Sequence, residues 1–160
     1  VSSTNSEVAE RGDLGWLLGA SLRAYMEGAE RAVAPIPFGY KGYMVLSAVR
    51  RFCPGTQLEL GRRLAIDKTV MTHVIDALEE AGLVTRRPGP ADRRARRVAL
   101  TAAGEEALQA AVERLAAEER RLLGGVPVAV RDQLVEGLTY LAEKGGSGPE
   151  CGEVSDCSVS

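Results

Sequence analysis

The chain has one histidine, three cysteines, one tryptophan and two phenylalanines in 160 residues, and it has no long hydrophobic run. Each scarcity excludes something. A membrane-spanning helix needs about 18 or more consecutive apolar residues, so no membrane partner is expected. The opening VSSTNSEVAERGD lacks the basic and apolar regions of a secretory signal, which predicts a cytoplasmic protein with reduced thiols. Cys53, Cys151 and Cys157 are odd in number and form no Cys-x-x-Cys, which argues against a disulfide framework or a zinc finger. A lone histidine makes a metal site only with several carboxylates around it, so no metal and no cofactor is expected. There is also no phosphate-binding or dinucleotide glycine loop, no nucleophile elbow and no His-Glu-x-x-His. The chain therefore offers no catalytic residues and does not read as an enzyme.

What is present is ordinary globular material, 45% hydrophobic and 26% charged, enough for one domain with a core that needs no staples. The formal charge of −2 conceals a division along the chain. Residues 50–97 hold eleven basic side chains against six acidic ones, a net of +5, which leaves −7 for the rest. A basic middle in an acidic frame suits a surface that meets a polyanion while the remainder stays soluble.

Punctuation divides the chain into short elements. Asp13 caps a helix with apolar residues at Leu14, Leu17, Leu18, Leu22, Tyr25, Met26, Ala29 and Val33, which ends at APIPFG. A second helix is predicted over 40–52, weakened by Gly42 and stopped by Pro54 and Gly55. Thr56 and Glu59 form a capping box for a helix over 57–65. Asp67 caps another over 68–81, with Met71, Val74, Ile75 and Leu78 inward and Gly82 as its stop. LVTRR and RRVAL read as two strands around the turn PGPADRRA. Thr101 starts a long helix to about Leu123, and Pro127 opens a last one with Val130, Leu134, Leu138 and Leu141 on one side.

Two helices joined by so short a turn make a helix-turn-helix, and the following hairpin is a wing. The expected fold is mainly α with a small β wing: a winged helix-turn-helix DNA-binding lobe plus a helical region. The outer face of the second helix carries Thr69, Val70, Thr72, His73 and Asp76, with Lys68 at its start. Hydroxyl and imidazole groups suit base edges or phosphates, Lys68 suits a phosphate, and Val70 suits a thymine methyl. The hairpin concentrates Arg86, Arg87, Arg93, Arg94, Arg96 and Arg97 against the single acid Asp92. A guanidinium-dense finger neutralises phosphates and enters an electronegative minor groove, so double-stranded DNA is the expected partner. The competing reading is a winged helix that docks on protein, for which so uniformly basic a wing is unsuited.

The run EEAGLVTRRPGPADRRARRVALTAAG, residues 79–104, resembles the winged-helix core of the MarR family of bacterial transcription regulators. Leu78-Glu79, Gly82-Leu83-Val84, Asp92 with Arg94, and Leu100-Thr101 with Gly104 carry the resemblance. It implies that Asp92 supports the wing by a salt bridge and that Arg94 reaches the minor groove. Arg93, Arg96 and Arg97 would then contact phosphates or support the wing. For Asp92 a turn residue bonding its own backbone is the plainer alternative. The family often has arginine where His73 stands, which leaves base preference open.

The resemblance further implies a homodimeric repressor on a pseudo-palindromic operator, released by a small-molecule effector. On that reading residues 13–33 and 101–144 are dimerisation helices, 40–100 the winged lobe within one domain over 13–144, and 1–12 and 145–160 disordered tails. Surplus apolar residues in the first and last helices agree with a shared core. Trp16, Tyr25, Phe38, Tyr40, Tyr43 and Met44 fall where the family forms an effector pocket, although aromatics at helical spacing also serve as core. Cys53 follows Arg50 and Arg51, whose charges favour a thiolate, so a redox-responsive regulator is a further alternative to a small buried side chain.

Overall fold

The computed structural model describes residues 13–52, 56–88 and 96–144. Helix α1 spans Leu14–Val33, and the Asp13 carboxylate accepts from the Gly15 N–H at 2.9 Å to cap it. The chain then reverses through Phe38 and Gly39, both in the left-handed region, before α2, Tyr40–Phe52. Glu30 of α1 starts α2 by accepting from the Tyr40 N–H at 3.1 Å. Gly42, unfavourable by propensity alone, has a packing reason. A Cβ there would stand 2.0 Å from the Pro37 carbonyl oxygen, so only glycine lets α2 lie on the preceding turn.

The next two helices are α3, Gln57–Leu64, and α4, Lys68–Glu80. The Thr56 hydroxyl accepts from the Glu59 N–H at 3.2 Å. Helix α3 stops one residue earlier than the sequence suggests, because Ala65 turns left-handed (φ 50°) to aim the chain into α4. Strands β1, Val84–Pro88, and β2, Arg96–Leu100, pair antiparallel from Val84↔Leu100 to Pro88↔Arg96. Two long helices follow, α5, Ala102–Leu122, and α6, Val128–Lys144.

One apolar cluster joins the C-terminal half of α1 to α2–α5 and the base of the wing. Val33, Leu46, Leu60, Met71, Ile75, Leu78, Val84 and Leu108 are among its deeply buried members. Helix α1 packs chiefly along α5, burying Gly28, Ala29 and Ala32 on one helix and Leu108, Ala111 and Leu115 on the other; Gly28 lies against Glu118, which Arg31 meets at 3.4 Å. The first half of α1 leaves Leu14, Trp16, Leu17, Leu18 and Leu22 exposed. No residue of α6 is buried, and Leu134, Leu138 and Leu141 stand on its surface. No helix among the described residues is long and apolar enough to cross a membrane. The segments 1–12 and 145–160, with Cys151 and Cys157, lie outside the described residues.

Candidate nucleic-acid interface

Helices α3 and α4 meet at a turn of three residues, and Asp67 fixes how α4 begins. Its carboxylate accepts from the N–H of Thr69 at 2.8 Å and of Val70 at 3.4 Å. These backbone donors hold the Asp67 carboxyl below the ordinary carboxylate range. Residues three and four apart share a helix face, so Thr69 and His73 line up on α4 and, with Lys68, are exposed.

Two other residues expected to contact DNA are half-buried behind them. The Thr72 hydroxyl donates to the Lys68 carbonyl at 2.9 Å and accepts from the Gln57 side-chain amide at 2.7 Å, which ties α3 to α4. Val70 packs against the core. Their side chains serve the joint between the helices, because the stripe facing α3 and the outward face meet at these positions.

The wing separates its arginines by alternation. Val84, Arg86, Val98 and Leu100 share the inner face, whereas Arg87 and Arg97 sit opposite one another on the outer face and are exposed. Like charges directly opposite in a hairpin repel. Neither Arg87 nor Arg97 has an acidic partner among the described residues.

Arg86 behaves differently. Its backbone N–H donates to Glu79 Oε1 at 3.0 Å, and its guanidinium donates to Glu79 Oε2 and Asp76 Oδ1. Only 16% of its side chain is exposed. Burial acts to lower the guanidinium pKa, and the hydrogen bonds to Asp76 and Glu79 outweigh it, so the group is held charged more firmly than usual. Between the end of α2 and α3, the Arg51 and Arg63 guanidinium groups lie 5.5 and 5.0 Å from the Phe52 ring centre, and Arg63 also meets Glu59 at 3.3 Å.

A cavity of about 670 Å³ opens between α3, the start of α4 and the wing, with Leu58, Ile66, Met71 and Val98 beside Lys68 and Arg86. The aromatic residues expected to line an effector pocket do not border it. Tyr25 meets Tyr40 edge-on at 6.2 Å, Tyr40 lies 5.6 Å from Tyr43, and all three pack on the core. Burial first, then the Tyr40 hydroxyl, pushes the Tyr25 phenol upward. Met44 is half-buried, while Trp16 and Phe38 are exposed, Phe38 by a backbone turned left-handed. Cys53, Asp92, Arg93 and Arg94 lie outside the described residues, as does the Arg96 side chain.

Residues 42–95, from α2 into the wing, match the MarR family model. The fold is shared along most of its length with CouR from Rhodococcus jostii RHA1, solved with p-coumaroyl-CoA. Identity is 27%, coverage is 82% of this chain and 93% of that one, and the TM-score is 0.66. Over residues 42–95 the chain is similar to the MarR family. MarR itself from E. coli, in its apo form, has the same fold at 24% identity, 84% and 97% coverage and TM-score 0.66. A MarR-family protein of Mycobacterium tuberculosis solved in complex with DNA does so at 23%, 81% and 98%, and 0.69. The winged helix-turn-helix expected from sequence is therefore the fold of this chain.

Sequence reasoning grouped Arg86 with the other wing arginines and missed its separate position. The alternation of β1 contains the signal: Val84 is a core residue, so Arg86 two positions on faces inward as well and needs anionic partners there. Thr101, expected as a helix start, and Gly104, singled out through the family resemblance, also acquire a wider role. The Thr101 hydroxyl donates to the Gly82 carbonyl at 2.6 Å and accepts from the Gly104 N–H at 3.0 Å, which locks the wing's base to α5.

Proposed function

We propose that this chain is a regulator of the MarR type: a homodimeric, sequence-specific DNA-binding transcription repressor that a small organic ligand releases. The observation that carries the DNA reading is the facing pair Arg87 and Arg97, exposed on the wing of a chain whose net charge is negative. A polyanion relieves their repulsion, and the adjacent α4 offers Lys68, Thr69 and His73 to a groove. Arg93, Arg94 and Arg96 would extend the same basic finger, with Asp92 bracing it.

The uncovered leucines of α1 and α6 support the dimer, since such a face is stable in water when a second copy covers it. Two recognition helices held in this way read half-sites about one helical turn apart, hence a pseudo-palindromic operator. The ligand-responsive part is supported by the match of residues 42–95 to the MarR family and by the likeness to CouR, which was solved with p-coumaroyl-CoA.

Selection from a random-sequence duplex pool by the purified protein tests the reading. The expected product is an enriched motif with inverted half-sites, bound by two chains. Uniform, salt-sensitive binding with no enriched motif contradicts sequence-specific regulation and favours a nonspecific or protein-docking winged helix.

A further inference from the structure

Arg86 is the one described wing arginine that turns away from solvent, and three hydrogen bonds fix it to α4. Asp76 and Glu79 lie three residues apart on α4, so their carboxylates form one acidic step along its side. The base of the wing is seated on the core by Val84, Val98 and Leu100 and on α5 by Thr101, and the chain enters it from α4 through a short joint at Ala81, Gly82 and Leu83, where Gly82 is left-handed. Beyond that base a two-stranded ribbon is by itself marginally stable. A recognition helix and a wing that enter neighbouring grooves must keep one angle, because a flexible wing loses ordering entropy when it docks.

We propose that Arg86 is a positioning residue: held by Glu79 and Asp76, it fixes the wing relative to the recognition helix and raises DNA affinity without touching DNA. This rests on the DNA-binding reading above. It also separates Arg86 from Arg87 and Arg97, whose contribution is charge presented to phosphate. The two roles differ in their salt dependence. Loss of a phosphate contact lowers the slope of log K against log salt by about 1, whereas loss of a positioning contact weakens binding and leaves that slope unchanged. They differ in sign at Glu79 as well. Removing a negative charge near a polyanion tightens binding on electrostatic grounds alone, but removing the anchor of Arg86 weakens it.

The test uses the full chain and a duplex that the wild type enriches from a random pool, with Arg86→Met, Arg86→Lys, Glu79→Gln and Asp76→Asn. Affinities are measured well below each variant's melting temperature across a salt series. Arg86→Met is expected to bind about tenfold more weakly, as for coupled residues in one ion-pair network, with the wild-type salt slope. Arg86→Lys recovers only part of the loss, because one ammonium does not span both carboxylates. Glu79→Gln and Asp76→Asn weaken binding, and they carry the test if Arg86→Met does not fold. A slope reduced by about 1 in Arg86→Met makes Arg86 a phosphate contact and overturns the assignment. Tighter binding by Glu79→Gln also overturns it, as does a lower melting temperature with unchanged affinity. If the wild type binds no duplex, the DNA reading itself fails; if the wild type binds and the variants match it, only the positioning role fails.

Discussion

Gly104 lies directly under the carbonyl of Leu83: a Cβ at residue 104 would stand 1.9 Å from that oxygen. The closeness follows from how α5 begins, since Thr101 donates its N–H to the same Leu83 carbonyl at 3.1 Å and its hydroxyl to Gly82. The wing's return strand and the first turn of α5 are thereby seated on the end of α4. Gly104→Ala must push backbone against backbone, and it should destabilise the fold by about 1–3 kcal/mol. Thr101→Ala, which loses the cap, should cost about 1 kcal/mol. Urea unfolding of both variants measures this, and a Gly104→Ala protein as stable as wild type would contradict the packing described here.

Arg87 and Arg97 face solvent from one side of the wing, so each should act on DNA as a phosphate-directed charge. Arg87→Ala and Arg97→Ala are expected to weaken binding to specific and mixed-sequence duplexes alike and to lower the salt slope by about 1 each. Arg94→Ala should cost about 1–3 kcal/mol and act mainly on the specific site, the result for a groove-reading side chain. Fluorescence anisotropy on the two duplexes distinguishes these roles. Equal losses on both duplexes for Arg94→Ala would remove it from the groove.

Leu134, Leu138 and Leu141 recur at four- and three-residue steps on α6 and are exposed in the single chain. A charge at such a site is tolerated by a monomer and excluded from a dimer core. Leu138→Glu should therefore give a soluble chain of half the wild-type mass by light scattering, with DNA affinity lost. Truncation from Gly145 onward should leave the dimer intact. A wild-type mass for Leu138→Glu would show that α6 is not the dimer surface.

Asp67 offers a pH test of the start of the recognition helix. Its folded-state pKa lies below the ordinary value of 3.8, because the Thr69 and Val70 N–H groups stabilise the carboxylate. A depressed carboxylate contributes stability above its unfolded value and loses it as pH falls through the folded one. Wild type should thus melt higher than Asp67→Ala at neutral pH, and the gap should close as the pH drops below 3.8. Thermal melts followed by circular dichroism across that range measure the gap. A gap independent of pH would mean that the carboxylate charge contributes nothing to the cap.

Asp13, Thr56, Asp67 and Thr101 each accept from a backbone N–H one turn into the helix that their sequence context predicts. The strands also fall where the turn residues place them, within one position. Caps, periods and turns act over about four residues, so the chain written out in order contains their causes. The order of elements, the helix-turn-helix with its wing, and the basic character of the wing were legible for that reason.

The partners of chemically equal residues were not legible. Six arginines stand between 86 and 97; strand alternation separates the face of Arg86 from that of Arg87 and Arg97, but only the angle between β1 and α4 brings Asp76 and Glu79 to Arg86. Thr72 reads as a free hydroxyl until α3 brings Gln57 to it across fifteen residues. Gly42 reads as a weak point until the Pro37 carbonyl is found against it. Local propensity and capping are set by neighbours along the chain, so the sequence alone determined the elements. Burial and ion pairing depend on groups that meet only after the helices pack, so the tertiary structure decided which of these side chains support the fold and which face solvent.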